Sequence, residues 1–231
     1  MNPERLCAVV PAAGRGARMG GADPKQYLPL YGRTVIEHAL APLLALPRVA
    51  RLVVALAPGD VRFGTLEVAR DPRVETVTGG AERADSVAAG LERLADEPAE
   101  ALVLVHDAAR PCVSGDELER LLGAADPEDG ALLALPARDT VKLADDRGRV
   151  LRTVDRSGLW LALTPQAFGL AALRAALAGD RAGITDEASA MERAGHAPRL
   201  VEGASCNLKV TRPGDLGLAA AVLRSRSECG A

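Results

Sequence analysis

Hydrophobic and polar positions follow two rhythms along this chain. Short continuous apolar runs at Leu6–Val10, Arg51–Leu56, Val74–Thr78, Leu102–His106 and Ala131–Leu135 read as buried strands. Between them, Thr34–Leu46, Arg83–Leu94 and Ser114–Ala124 carry helical spacing. Thr34-Val-Ile-Glu37 and Ser114-Gly-Asp-Glu117 match the capping box, in which a hydroxyl and a carboxylate satisfy each other's free backbone N–H groups, so helices should start there. Apolar strands alternating with helices predict an α/β fold with a mostly parallel, doubly wound sheet. Ligands of such sheets lie beyond the carboxyl ends of the strands, which directs attention to the loops after Val10 and after Val105.

Residues 136–158 break the rhythm. Two short, polar strand patterns flank an Asp-Asp-Arg-Gly turn at 145–148, the signal of a hairpin. It is too polar for a core hairpin, so a projecting β-arm is expected. An isolated two-stranded ribbon is marginal in water, and a second copy of the chain would be the economical partner. Further on, helices are expected at Leu170–Leu177 and Thr185–Arg193, short strands near Arg199–Val201 and Asn207–Val210, and a last helix from Pro213. The whole, residues 1–231, reads as one domain with the 136–158 arm inside it.

Composition narrows the function classes. The chain is 48% hydrophobic but only 2% aromatic, so Leu, Val and Ala must fill its core. Lys plus Arg total 28 against 31 Asp plus Glu, a net charge of −3 that disfavours non-specific nucleic-acid binding. The four cysteines lack any Cys-x-x-Cys spacing, so neither a zinc site nor a disulfide framework is expected. No apolar run reaches the roughly 18 residues of a membrane span. The Met-Asn-Pro-Glu-Arg start lacks a signal peptide's features, and a cytoplasmic protein is expected.

The loop after the first strand carries the chemistry. Pro11-Ala12-Ala13-Gly14-Arg15-Gly16 leads to Arg18 and Lys25, joining close-approach glycines to cations. It is not a P-loop, because no lysine follows the glycines at that spacing. It is not a dinucleotide fingerprint either, because Met19 stands where the third glycine belongs. A triphosphate held by loop amides and flexible cations fits better. Asp107, just past the fourth strand, suits a Mg²⁺ bridging phosphate oxygens, and Arg110 could fork onto a second phosphate. His106 should point to the other face, where it would either support the site from behind or serve structure. Gly79-Gly80, followed by Ser86, could read a base through backbone groups. Lys209 gains meaning only beside the other cations. The histidines at 38, 106 and 196 are dispersed, and no nucleophilic triad is apparent.

Together these segments resemble the 2-C-methyl-D-erythritol 4-phosphate cytidylyltransferases of the non-mevalonate isoprenoid pathway. The matching stretches are Pro11-Ala-Ala-Gly-x-Gly-x-Arg18-Met, Pro24-Lys25-Gln-Tyr, Gly79-Gly-x-x-Arg-x-x-Ser86, Val105-His-Asp-Ala-Ala-Arg-Pro111, Asp155-Arg156-x-Gly-Leu-Trp160, Thr164-Pro-Gln166, Thr185-Asp-Glu-Ala-Ser189 and Asn207-x-Lys-Val-Thr211. They span nearly the whole chain.

The resemblance implies a Rossmann-like nucleotidyltransferase that joins CTP to methylerythritol 4-phosphate with Mg²⁺ and releases pyrophosphate. By motif position, Arg18 and Lys25 would act on the triphosphate, and Arg156 and Lys209 would position the acceptor phosphate. Pro11, Ala12, Ala13, Gly14, Gly16, Gly80 and Ser86 would hold the nucleotide, and Asp107 would serve the ribose or the metal. Arg110, Thr140, Arg156, Thr185 and Lys209 would line the acceptor pocket. In the family the arm reaches a neighbouring subunit, which implies a homodimer. One departure stands out: Cys206 occupies a position that is often acidic in the family, which would weaken metal binding. The rival readings are a ribitol 5-phosphate cytidylyltransferase and a non-catalytic nucleotide-binding module.

Overall fold

The structure, a computed structural model, describes residues 5–14 and 23–229. In chain order its strands are β1 (Leu6–Ala12), β2 (Pro29–Leu30), β3 (Arg33–Thr34), β4 (Val49–Leu56), β5 (Val74–Thr78), β6 (Leu102–Val105), β7 (Ala131–Pro136), β8 (Val141–Ala144), β9 (Val150–Val154), β10 (Trp160–Gly169) and β11 (Arg199–Glu202). The helices are α1 (Val35–Leu44), α2 (Arg83–Arg93), α3 (Gly115–Ala124), α4 (Leu170–Ala176), α5 (Glu187–Arg193) and α6 (Pro213–Cys229).

Seven strands form one sheet in the order β11-β7-β10-β6-β1-β4-β5. All neighbouring pairs are parallel except those made by β10, which runs antiparallel to both β6 and β7. The chain runs outward from β1 through β4 to β5, then returns to place β6 on the other side of β1. That reversal is a topological switch point, and it opens a crevice between the carboxyl ends of β1 and β6.

Two apolar layers cover the sheet, and β1 shows how one strand feeds both. Leu6, Ala8, Val10 and Ala12 pack with Ile36 and Leu40 of α1 and Leu118 and Leu121 of α3. Cys7 and Val9 pack with Val87 and Leu91 of α2, Leu173 of α4 and Met191 of α5. Successive side chains on a strand face opposite ways, so a continuous apolar run is what a doubly covered strand requires. A smaller cluster seats α6 through Val35, Cys112, Val210 and Ala219. On the second face α2 lies very close to β1: a Cβ at Gly90 would sit 2.5 Å from Val9 Cγ1. Among the described residues no helix is long and apolar enough to cross a membrane.

Both capping boxes form. Glu37 accepts from the Thr34 N–H at 2.8 Å, and Glu117 accepts from the Ser114 N–H at 3.0 Å while its own N–H bonds Ser114 Oγ at 3.3 Å. The arm is a separate two-stranded sheet of β8 and β9. Its turn closes at Gly148, whose φ of 74° lies in the left-handed region that favours glycine.

Two expectations need correction. The ten-residue strand β10 is absent from the apolar pattern, because Thr164-Pro165 interrupts it and proline normally argues against a central strand. Conversely, residues 207–210 are not a strand. Their backbone groups bond elsewhere: the Asn207 carbonyl accepts from Arg110 at 2.7 Å and the Val210 N–H donates to Ala109 O at 2.8 Å.

Candidate functional site

The crevice at the switch point is lined by the end of β1 (Pro11, Ala12), by Ala13 and Gly14, and by the Lys25–Gln26 turn. The start of α2 (Gly80 to Arg83, with Ser86), the segment after β6 (Asp107 to Ala109) and Lys209 complete it. Each side chain is placed by a local device. Lys25 opens a 3-10 turn, and Gln26 ties that turn to β1 through a buried 2.7 Å bond from Nε2 to Ala12 O.

Gly79 and Gly80 make a turn that a side chain would fill. A Cβ at Gly80 would meet Asp85 Cβ at 2.2 Å, and one at Gly79 would meet Ser86 Oγ at 2.7 Å. The buried Ser86 hydroxyl accepts from the Gly80 N–H and donates to Glu82 O, both at 3.2 Å, so it shapes this turn from behind.

Asp107 is the electrostatic centre. Its Oδ1 accepts from Arg83 Nε at 2.9 Å, its Oδ2 from Lys209 Nζ at 2.7 Å, and Arg110 Nε lies 3.7 Å from Oδ2. Burial is the largest single influence and favours the neutral acid. Arg83, then Lys209, then Arg110 outweigh it and hold the carboxyl far below the usual carboxylate range. Asp107 is therefore a fixed negative charge at any physiological pH.

The backbone around it is held by a buried relay. The Asp107 N–H donates to Thr164 Oγ1 at 3.0 Å, and Thr164 Oγ1 lies 3.1 Å from His106 Nδ1. His106 Nε2 lies 3.0 Å from Arg110 O, which can only accept, so Nε2 carries the proton and Nδ1 accepts from the Thr164 hydroxyl. Complete burial pushes His106 down to about 4, which keeps it neutral. His106 is structural, as its position on the strand suggests.

Lys209 reaches Asp107 from an irregular segment pinned at several points. Glu117, the capping residue of α3, also accepts from the Ala204 N–H at 2.8 Å, and Asn207 Nδ2 donates to Thr164 O at 2.9 Å. A residue legible only as a helix cap thus anchors the segment that delivers a candidate catalytic lysine.

Of the residues expected from the sequence, the crevice gathers Pro11, Ala12, Ala13, Gly14, Lys25, Gly80, Ser86, Asp107 and Lys209. Gly16 and Arg18 lie outside the described residues. Arg110 is buried and directs a guanidinium N–H to Asn207 O. Thr140 and Arg156 sit at the base of the arm, where Arg156 donates to Ala137 O at 2.8 Å. Thr185 lines a neighbouring recess with Arg181 and Asp85. Cys206 Sγ accepts from Arg226 of α6 at 3.2 Å and does not line the crevice. Sequence reasoning missed Arg83 and Glu187. Arg83 forks onto Glu187 at 2.7 and 3.0 Å while holding Asp107, and both lie inside motifs already noted.

Known proteins share this fold and much of this sequence. The family model for 2-C-methyl-D-erythritol 4-phosphate cytidylyltransferase matches residues 6–225. A relative of that description from Aeromonas hydrophila is 54% identical over 225 residues, covering 96% of this chain and 91% of the relative. One from Escherichia coli O1:K1 is 52% identical over 219 residues, covering 93% and 92%. Among solved structures, a 4-diphosphocytidyl-2C-methyl-D-erythritol synthase superposes with a TM-score of 0.83 at 38% identity, covering 96% of this chain and 99% of that one. The 2-C-methyl-D-erythritol 4-phosphate cytidylyltransferase from Thermus thermophilus gives 0.78 at 37% identity, covering 95% and 99%.

Proposed function

The chain belongs to the 2-C-methyl-D-erythritol 4-phosphate cytidylyltransferase family, and from that premise we propose that the Asp107 crevice is where it joins CTP to 2-C-methyl-D-erythritol 4-phosphate. An oxygen of the acceptor's phosphate attacks the α-phosphorus of CTP. A new P–O bond forms, the bond to the β-phosphate's bridging oxygen breaks, and pyrophosphate leaves. The attacking oxygen is already anionic, so no base is needed. The work left to the protein is alignment and neutralisation of charge.

The observation that carries this reading is the meeting of Lys25, Lys209 and an ionised Asp107 at the switch point of the sheet. In this reading Lys25 and Arg18 neutralise the triphosphate as charge moves toward the leaving group. Lys209 has three donors; one holds Asp107, and the others remain for the acceptor's phosphate. The Gly79–Gly80 turn offers close backbone approach for the base, and Asp107 serves the nucleotide's ribose or a metal bound to it.

Mg²⁺ is the expected cofactor, and the residues fit it in one manner. Among the described residues no cluster of three or more His, Cys, Asp or Glu could hold a metal. Asp107, kept ionised, would give one oxygen and the substrate phosphates the others, the common way Mg²⁺ is held beside nucleotides. When bound, it supplies further neutralisation of the triphosphate.

The acceptor side calls on a second subunit. Thr140 and Arg156 lie at the base of the arm, and β9 exposes Val150 and Leu151 at 62% and 63%. A homodimer in which each arm carries Thr140 and Arg156 to its neighbour's crevice accounts for both facts. Pyrophosphate release in the presence of CTP and Mg²⁺, with methylerythritol 4-phosphate compared against ribitol 5-phosphate, tests the proposal. Turnover is expected with the first acceptor, and turnover with neither would overturn it.

A further inference from the structure

Arg83 lines the crevice, yet each of its three guanidinium nitrogens is engaged by a protein carboxylate. Nε holds Asp107 Oδ1 at 2.9 Å, and the two terminal nitrogens hold Glu187 Oε1 and Oε2 at 2.7 and 3.0 Å. Glu187 is only 1% exposed. Arg83 is the first residue of α2 and Glu187 the first of α5, each directly after its cap. The pair therefore joins the turn that follows β5, the segment that follows β6, and the loop bearing Thr185. A buried ion pair is weak evidence for stability, since desolvation of the two charges offsets their attraction. This pair is aimed at one particular oxygen of Asp107.

We propose that Arg83, clamped by Glu187, is a positioning residue: it fixes the Asp107 carboxylate so that Oδ2 faces Lys209 and the nucleotide. Arg83 is not a phosphate-binding cation, despite its place in the crevice wall. The function requires arginine, because only a planar fork can engage both Glu187 oxygens and still present Nε sideways to Asp107. The inference rests on the reading of Asp107 as a nucleotide-binding group.

The test is a double-mutant cycle on the full-length protein, with CTP affinity by calorimetry, separate KM values for CTP and acceptor, and thermal melting. Glu187→Gln keeps shape but destroys the fork. It is expected to weaken CTP binding and raise the CTP KM about tenfold, the loss of one charge-assisted hydrogen bond. The acceptor KM should rise by a smaller factor, because Lys209 keeps two donors for the acceptor's phosphate. Arg83→Lys should reproduce the same defect. In an Asp107→Asn background, Glu187→Gln should add less than about twofold, because its effect passes through Asp107. Multiplying effects, or equal rises in both KM values, would show that Glu187 merely seats α5 and would overturn the proposal. If Asp107→Asn leaves CTP binding intact, the reading of Asp107 fails instead. Should Glu187→Gln melt below the assay temperature, Glu187→Asp keeps the charge with a shorter reach, and the same cycle is read with it.

Discussion

Gly90→Ala sets two known effects against each other. Alanine inside a helix is worth about 1 kcal/mol more than glycine, so in most helices the change stabilises. Here the new Cβ would lie 2.5 Å from Val9 Cγ1, 3.2 Å from Cγ2 and 3.4 Å from Val9 Cβ. Val9 is completely buried on a strand paired on both sides, and its branched side chain is stiff at χ1. The strain must move α2 off the sheet, and overpacking of this kind costs about 1–3 kcal/mol. The net expectation is destabilisation of about 1 kcal/mol. Val9→Ala alone should cost about 2 kcal/mol through lost methyl burial and the void left behind. In that background the extra Cβ at 90 occupies the void and keeps its helical advantage, so Gly90→Ala should become stabilising. Equilibrium urea unfolding of the four proteins, with m-values compared, measures the cycle. The same sign for Gly90→Ala in both backgrounds would refute the contact between α2 and β1 as the cause.

Lys209→Met should lower kcat by about 10²–10³, the usual effect of losing one preorganised contact to a developing charge, and steady-state rates within about threefold of the unaltered enzyme would contradict its role. His106 should make stability depend on pH. Its folded value of about 4 lies below its ordinary 6.5, so the unfolded chain binds the proton first, and stability is lost as pH falls from about 6.5 to about 4. The loss totals about 3 kcal/mol, and His106→Asn should flatten that part of the unfolding curve; parallel curves would argue against a buried neutral imidazole. Val150→Asp together with Leu151→Asp should shift sedimentation toward monomer and depress turnover while leaving the melting temperature nearly unchanged. Mixing Arg156→Ala with Lys25→Ala subunits should restore partial activity, and no recovery after confirmed subunit exchange would mean that each crevice is complete in one chain.

Much of the architecture was legible because strands covered on both faces must be apolar at every position. β1, β4, β6 and β7 announce themselves in this way, the edge strand β5 shows only as a short β-branched run, and the two capping boxes mark α1 and α3. β10 escaped because its register breaks between Ala162 and Gln166, around a proline that pattern reading treats as a strand breaker. Residues 207–210 misled in the opposite sense: alternating apolar positions there reflect seating against α6 and β6's loop, not a ladder. At the site, Lys25, Asp107 and Lys209 could be found because chemistry and position agreed. Arg83 and Glu187 could not be paired, since no local pattern says which carboxylate an arginine will meet 104 residues away. Glu117 shows the same limit: its capping role is local and visible, while its hold on Ala204 depends on the finished fold.

β10 begins with three exposed residues beside the arm and ends with seven buried ones between β6 and β7. Halfway along, Thr164 takes the Asp107 N–H. The strand thus works as a connecting rod, with one end in solvent and the other bolted into the middle of the sheet. Only Gln166 and Ala167 are paired on both sides, and the ladder is interrupted between Ala162 and Gln166, where Thr164 lies. A displacement of the exposed end therefore reaches Asp107 through Thr164, in the stretch of the strand that neither neighbour pairs with. Two surfaces that look independent are in this sense one mechanical part, and changes at the arm's root should be read for their consequences at the crevice before they are dismissed as remote.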